Sequence, residues 1–452
     1  MLALPQILTI AIFVGVLVNI IVGKVRRYFA ALIGAALTFV VFFVVLKSPG
    51  MAVNVLNLGQ VGQFSFWIPG QERIGSHGVN WQTIIFIAGM MTMVGGLGAA
   101  GFFRWLCLYV AKMVRYRVVP ILLIFMLLSG LLSMFIDSIT VLLFLTSVTI
   151  ELARLLKFDP VPIIIAEIFA ANTGGSATMA GDPPNIIIGT TLGYTFRDFV
   201  FNTGAIAWAG MGASLGFFYL RFRKILASQQ SSSSNSLNQY PEPKEAITNP
   251  RLFKIQAAIF IMVIVLLVTH AQTGISVALI GCIAAALTML AAGGGALPII
   301  KGVDWRTLFF LIGLFICVGG LEETGVLRMF AGYIEKMSGG DIRLAVPLIL
   351  WFSAFLSAVV DNIPFAAAMV PVITQLSRTT GLKLSTLAWA LALGTDIGGN
   401  ATPIGASANV VATAIARRQG YRIRWGRYLK YAFPAMVIVI ALSHLMLIVR
   451  YT

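Results

Sequence analysis

The sequence is poor in charge and poorer still in acids. Charged side chains make up 11% of its 452 residues, 16 acidic against 32 basic, while 59% are hydrophobic. So little charge among long apolar runs excludes a soluble multidomain chain and describes a polytopic membrane protein. Cysteine is scarce too. Cys107, Cys282 and Cys317 are scattered and make no CxxC pair, which excludes a disulfide framework. The histidines His77, His270 and His444 have no metal-ligand spacing, and no metal or cofactor is expected. The first apolar run lacks a basic stretch ahead of it. Lys24, Arg26 and Arg27 come after it, so a retained first span is expected rather than a cleaved signal peptide. The basic excess sits in short loops between apolar segments. That pattern marks cytoplasmic loops and argues against nucleic acid as a partner.

What is present is a polar, Gly-rich stretch from Asn172 to Ile188, flanked by apolar residues and broken by Pro183 and Pro184. Proline lacks an N–H donor and glycine is a poor helix former, so no helix runs smoothly through it. The stretch has an echo at Asp396 to Val411. With a shift of 224, Gly174, Gly175, Ala177, Thr178, Gly181 and Asn185 fall on Gly398, Gly399, Ala401, Thr402, Gly405 and Asn409. The same shift aligns Trp81, Thr83, Gly89 and Gly96 with Trp305, Thr307, Gly313 and Gly320, and Ser129, Ser133 and Asp137 with Ser353, Ser357 and Asp361. Nearer the start the shift is 247, placing Ala31 and Gly34 on Ala278 and Gly281. Chance apolar likeness does not align polar residues at a constant shift, so the chain reads as a duplication: 1–226, a low-complexity linker at 227–250, and 251–452.

Apolar segments fall at 4–22, 28–46, 82–98, 160–195 and 201–221, and again at 252–270, 275–293, 305–321, 384–418 and 429–449. The runs 118–157 and 343–378 are long but carry Asp137 and Asp361 near their middles, so they are expected to be re-entrant hairpins with polar tips. The expected fold is therefore all-α: five spans plus one hairpin in each half, with interrupted helices at the midplane. An odd number of spans inverts the second half. With both termini outside, the inner segments hold more than twice as many Lys and Arg as the outer ones, and the linker is cytoplasmic.

Five acids lie inside apolar segments: Asp137, Glu167, Asp182, Asp361 and Asp396, with no Lys or Arg in the hairpin tips or breaks. An Asp at mid-membrane costs roughly 2.5–3.5 kcal/mol on insertion scales, which favours a functional reading over a protonated structural carboxyl. The tips, Asp137-Ser138-Ile139-Thr140 and Asp361-Asn362-Ile363-Pro364, group oxygens that suit hard cations, protons or polyhydroxy solutes. Paired breaks in matching places of two halves point to a binding site between them. Gly96 to Gly101 fits GxGxxG but closes a span, and reads as helix packing rather than dinucleotide binding. An intramembrane aspartyl protease would also need two membrane Asp residues. Its GxGD signature is missing, since Met179 stands where the first Gly belongs. A channel is less favoured than alternating access, because hairpins in inverted repeats mark carriers.

The motifs around Asn172–Asn185, Asp361–Phe365 and Gly398–Asn409 resemble the ArsB/NhaD permeases of the ion transporter superfamily, which include the pigment-cell P protein and arsenite pumps. The likeness covers nearly the whole chain. It implies no enzyme but a secondary transporter of the plasma membrane, with a scaffold and a transport unit in elevator-like movement. It places the site at Asp137, Ser138, Thr140, Asn172, Ser176, Thr178 and Asn185 in one half, and at Asp361, Asn362, Asp396, Asn400, Thr402 and Asn409 in the other. Proton-coupled efflux of arsenite or antimonite is the leading expectation, and Na⁺/H⁺ exchange the alternative. Partners would be a small inorganic ion or arsenious acid, protons or Na⁺, the bilayer, and a second copy in a homodimer. Related dicarboxylate carriers have tips resembling Ser-Asn-Thr. Asp at both tips here disfavours a dianionic substrate.

Overall fold

Residues 3–69, 78–229 and 241–451 are described by the computed structural model, and no strand occurs among them. The first half supplies α1 (Leu4–Val22), α2 (Arg27–Val40, prolonged by a π turn at Val41–Val45), α3 (Trp81–Ala99), α4 (Phe102–Met113), α5 (Val118–Ser133), α6 (Ser138–Leu156), α7 (Val161–Gly175), α8 (Pro183–Leu192) and α9 (Ala205–Gln229). The second half repeats the order with α10 (Pro250–Thr273), α11 (Val277–Ala292), α12 (Trp305–Glu323), α13 (Val326–Ser338), α14 (Ile342–Ser357), α15 (Asn362–Thr380), α16 (Leu384–Gly399), α17 (Ser407–Arg418) and α18 (Trp425–Tyr451). Each of these nine first-half helices thus has its counterpart nine labels on. Among the described residues, eight helices are long and apolar enough to cross a membrane.

Matched residues start matched helices. Asn80 caps α3 by accepting from the Thr83 backbone N–H at 3.0 Å, and its repeat partner Asp304 caps α12 by accepting from Thr307 N–H at 3.2 Å. Asp137 and Asp361 cap α6 and α15 in the same manner. The first arms α5 and α14 have 16 residues each, while the second arms α6 and α15 have 19 and α6 is one of the eight long helices. At 1.5 Å per residue the first arms reach about 24 Å, short of the ~30 Å hydrocarbon core. Such arms suit re-entrant hairpins with tips at 134–137 and 358–361. At the breaks, Pro183 and Pro184 open α8. They sit where a missing N–H costs nothing, so they end one helix by beginning the next.

Packing follows the duplication. α2 lies on α12 and α3 on α11, two contacts that exchange when the halves are exchanged; α6 on α17 and α8 on α15 do the same. The helices sort into two groups. One comprises α1–α3 and α10–α12. The other comprises the hairpins, the broken pairs α7–α8 and α16–α17, and α9 and α18. The amphipathic α4 and α13 lie against the hairpins and lead from one group to the other. Within the second group α5 meets α7 closely enough that a Cβ on Gly174 would stand 2.2 Å from the Gly130 carbonyl oxygen.

The linker is only in part what its composition implies. α9 continues to Gln229, and residues 241–249 are docked rather than loose. Pro243–Ala246 forms a 3₁₀ turn with both end residues buried. Tyr116 donates to the Pro241 carbonyl at 3.0 Å, and Lys112 pairs with Glu242 at 2.8 Å. Ser231–Ser234 and His77 lie outside the described residues.

Candidate functional site

The site grows from the two breaks. α7 ends at Gly175 and α16 at Gly399, leaving carbonyl oxygens without helical partners. Asn185 donates its amide to the Gly175 and Thr178 carbonyls at 3.0 and 3.1 Å. Its repeat partner Asn409 donates to Gly399 and Thr402, both at 2.8 Å. Thr178 donates to the Met134 carbonyl, and Thr402 to the Ala358 carbonyl at 2.5 Å. Each break is thereby tied to the hairpin tip of its own half. Ser176 donates to the Thr173 carbonyl at 2.7 Å.

The halves meet at Asn172. Its amide donates to Asn400 Oδ1 and to Asn409 Oδ1, both at 2.9 Å. A second bridge centres on Asp182. Ser138 of the first tip donates to one carboxylate oxygen at 2.5 Å, and Asn362 of the second tip to the other at 2.9 Å. Ser138 and Asn362 are repeat partners, so one carboxylate gathers both tips. Asp182 is 2% exposed and Asp396 fully buried.

Asp396 is the unusual member. Neither carboxylate oxygen receives a hydrogen bond among the described residues. The Asn185 side chain and the Asp182 carboxyl lie within reach of it, close enough that a proton on either carboxyl would bridge the pair. Asn172 Oδ1 and Asn185 Oδ1 are likewise buried and without a donor. The centre therefore presents acceptor oxygens in excess of donors. An ionised carboxylate is costly to bury unpaired, by several kcal/mol even after relaxation. A proton or a cation relieves that cost.

The tip carboxylates differ from each other. Thr140 satisfies both oxygens of Asp137, its N–H at 2.9 Å and its hydroxyl at 2.7 Å. Asp361 accepts from Ser407 at 2.6 Å and from Arg27 at 3.3 Å. The sequence places no base in the tips or breaks, yet Arg27 reaches one from the start of α2. The fifth intramembrane acid, Glu167, lies behind the first hairpin and accepts from Thr149 at 2.5 Å. Asp137→Asn keeps a cap of equal strength, whereas Asp137→Ala loses about 1 kcal/mol. Thermal unfolding in detergent should show a lowered midpoint for Ala and little change for Asn.

Residues 17–394 match the pattern of the family described as citrate transporter (CitMHS). An uncharacterised transporter of Mycobacterium tuberculosis is 33% identical over 451 residues, covering 99% of each chain. The chain belongs to the citrate transporter family. This family and these relatives are transporters, not enzymes, and the chain is a polytopic membrane protein of the same kind. The human P protein is 27% identical over 95% of this family member and 58% of its own length. That likeness agrees with the motif reading, whereas the matching pattern is CitMHS rather than ArsB/NhaD. Among solved structures, the YdaH transporter of Alcanivorax borkumensis superposes with a TM-score of 0.59 at 14% identity, over 98% of both chains. MtrF of Neisseria gonorrhoeae gives 0.59 at 12% identity, over 100% of this chain and 95% of its own. Both show the fold alone.

In this citrate-transporter relative the sequence motifs name most of the central residues. They miss Asp182 as a site residue, and they miss Arg27 and Ser407. Asp182 has Ala406 as its repeat partner, so symmetry does not mark it. The available signal is the pair Ser138 and Asn362, two donors at matched tips that need a shared acceptor.

Proposed function

We propose that this protein is a cation-coupled secondary transporter of a small uncharged oxyacid, with arsenious acid as the type, and that its coupling ion binds at Asp182 and Asp396. The observation that carries the reading is the excess of acceptors at the centre. Among the described residues no donor in hydrogen-bond geometry reaches either Asp396 oxygen, Asn172 Oδ1 and Asn185 Oδ1 are buried and unpaired, and Asp182 holds both tips. A single proton or Na⁺ shared there would neutralise the centre. A hydroxylated solute would complete it through hydrogen bonds from its own O–H groups. Free citrate, the substrate class in the family's description, fits this centre poorly. Three carboxylates would enter beside Asp182, Asp396, Asp361 and Asp137, with Arg27 the one cation at hand among the described residues.

In this reading the two halves, 1–226 and 251–452, are inverted repeats with both termini outside the plasma membrane. The group containing the hairpins is the transport unit. It moves in an elevator-like manner against α1–α3 and α10–α12, carried on the arms α4 and α13. In this reading the coupling ion sits at Asp182 and Asp396, while both oxygens of Asp137 are taken up by Thr140 of its own helix. Na⁺/H⁺ exchange is the second reading. It is favoured by the same cluster of acceptor-only oxygens, which would hold Na⁺ without any further cargo. Uptake of arsenite, Na⁺ and citrate into proteoliposomes tests the choice. Saturable arsenite flux supports the first reading, Na⁺ flux alone supports the second, and citrate flux alone overturns both.

Arsenic(III) prefers thiolates, which would direct attention to the cysteines. Cys107 and Cys317 are buried in α4 and α12, and Cys282 is half-buried in α11. None has a repeat partner of its kind, and a carrier held by several thiolate bonds would release cargo slowly. A variant with all three replaced by Ala or Val should keep the wild-type rate in that assay.

A further inference from the structure

The two halves are not symmetric where the helix groups touch, and Arg27 is the difference. It opens α2, in the group of α1–α3 and α10–α12. Its guanidinium donates to Ser407 of α17 and, at 3.3 Å, to Asp361 at the cap of α15, both in the hairpin group. It is held from its own side by Thr307, which accepts at 2.9 Å, and by the Phe310 ring 5.5 Å beneath it. Thr307 in turn donates to Asp304 at 2.6 Å. One side chain thus spans the boundary between the two groups.

At the 247 shift the repeat partner of Arg27 is Gly274, in the turn between α10 and α11. Glycine has no side chain to reach across. A cavity of about 480 Å³ opens instead, lined by His270, Gly274 and Ser276 from one group and by Gly189, Thr190 and Asp198 from the other. Beside it the groups meet through neutral hydrogen bonds, and His270 of one faces Asp198 of the other. Asn80 donates to Thr190 at 2.8 Å, and Thr83 and Thr190 share a bond of 2.7 Å. Arg27 bridges the groups with a charge at one of the two matched positions, and glycine leaves the other without one.

We infer that Arg27 is a tethered counter-ion that latches the unloaded transport unit to its scaffold and gives way only when a proton or Na⁺, additional to the ion shared by Asp182 and Asp396, takes its place on Asp361. The exposures set the direction. The Arg27 side chain is 30% exposed and can move into water, whereas that of Asp361 is 7% exposed and cannot. If the groups part with nothing on Asp361, its carboxylate keeps the Ser407 hydroxyl and the Ile363 N–H but stays buried without a counter-charge, next to Asp182. A proton or Na⁺ at Asp361 removes that obstacle. The latch thereby prevents movement of the empty carrier. The inference needs two groups that move, but no particular cargo.

Ion leak through proteoliposomes without any substrate tests it, with a pH gradient or a Na⁺ gradient imposed in separate runs. The wild type should be tight. Arg27→Gln should leak on the order of tenfold faster, matching the loss of one charged hydrogen bond. Arg27→Lys, which keeps the charge, should stay close to the wild type. Thr307→Val removes one anchor of the guanidinium and should leak in the same direction by less, and it serves if Arg27→Gln does not fold. A purely structural arginine would lower the unfolding midpoint and leave the bilayer tight. If Arg27→Gln, or Thr307→Val in its place, is monodisperse and as tight as the wild type to both ions, the latch is refuted. So too if Lys leaks as fast as Gln. Because no cargo is present, the outcome is independent of whether arsenite or another solute is carried.

Discussion

Asp396→Asn should reduce ion-coupled flux to the level of protein-free liposomes while leaving the protein folded. The expectation follows from the two carboxylate oxygens of Asp396, which are buried and receive no donor among the described residues. Replacing a buried charge that has no counter-ion with a neutral group of the same shape removes a cost and still leaves Asn185 and Asp182 to pair with, so stability should hold or rise. Asp182→Asn should lose coupled flux as fully but for a different structural balance. Asp182 accepts from both Ser138 and Asn362, and an amide nitrogen would face one of these donors. That variant should lose about 1 kcal/mol of stability. Unfolding midpoints beside flux separate the two cases. Normal coupled flux in either variant would remove that residue from the ion site.

Gly174→Ala and Gly398→Ala should sharply reduce the yield of folded protein. A Cβ at Gly174 would lie 2.2 Å from the Gly130 carbonyl oxygen, and at Gly398 it would lie 2.3 Å from the Ala354 Cα. These neighbours are helix backbone and cannot turn aside as a flexible side chain can. Overpacking in a core costs about 1–3 kcal/mol, and backbone collisions lie at or above the top of that range. The two glycines are repeat partners at the crossings of α7 on α5 and of α16 on α14, so each substitution also pushes a broken helix away from its hairpin. Gly212→Ala is the control, because nothing lies within 4 Å of its added Cβ. Monodisperse yield and unfolding midpoint in detergent measure all three. A Gly174→Ala variant as stable as the control would mean that α5 and α7 do not pack this closely.

Much of this architecture is legible in the sequence because duplication writes it twice. Paired signals such as Asp137 with Asp361 and Asn185 with Asn409 mark helix starts and the ends of breaks, and the same spacing carries over into the caps Asn80 and Asp304, which the structure adds. Symmetry also hides things. Asp182 and Arg27 have Ala406 and Gly274 as partners, so a reading based on repeats passes over both. Arg27 reads from sequence as an ordinary basic loop residue after the first span. Its contact with Asp361 is 334 positions away, and only the packing of α2 beside the second hairpin brings them together. The docked turn at Pro243–Ala246 is similar. Its composition reads as a loose linker, but two buried residues and a tyrosine from the end of α4 hold it.

The most direct test of the account is whether cargo and ion move together. Purified protein is placed in liposomes loaded with a pH-sensitive dye, and an arsenite gradient is imposed with Na⁺ present or absent. The account predicts that arsenite running down its gradient shifts the internal pH or drives Na⁺ across, and that Asp396→Asn abolishes the ion movement. Arsenite flux through the wild type with no movement of either ion would contradict it.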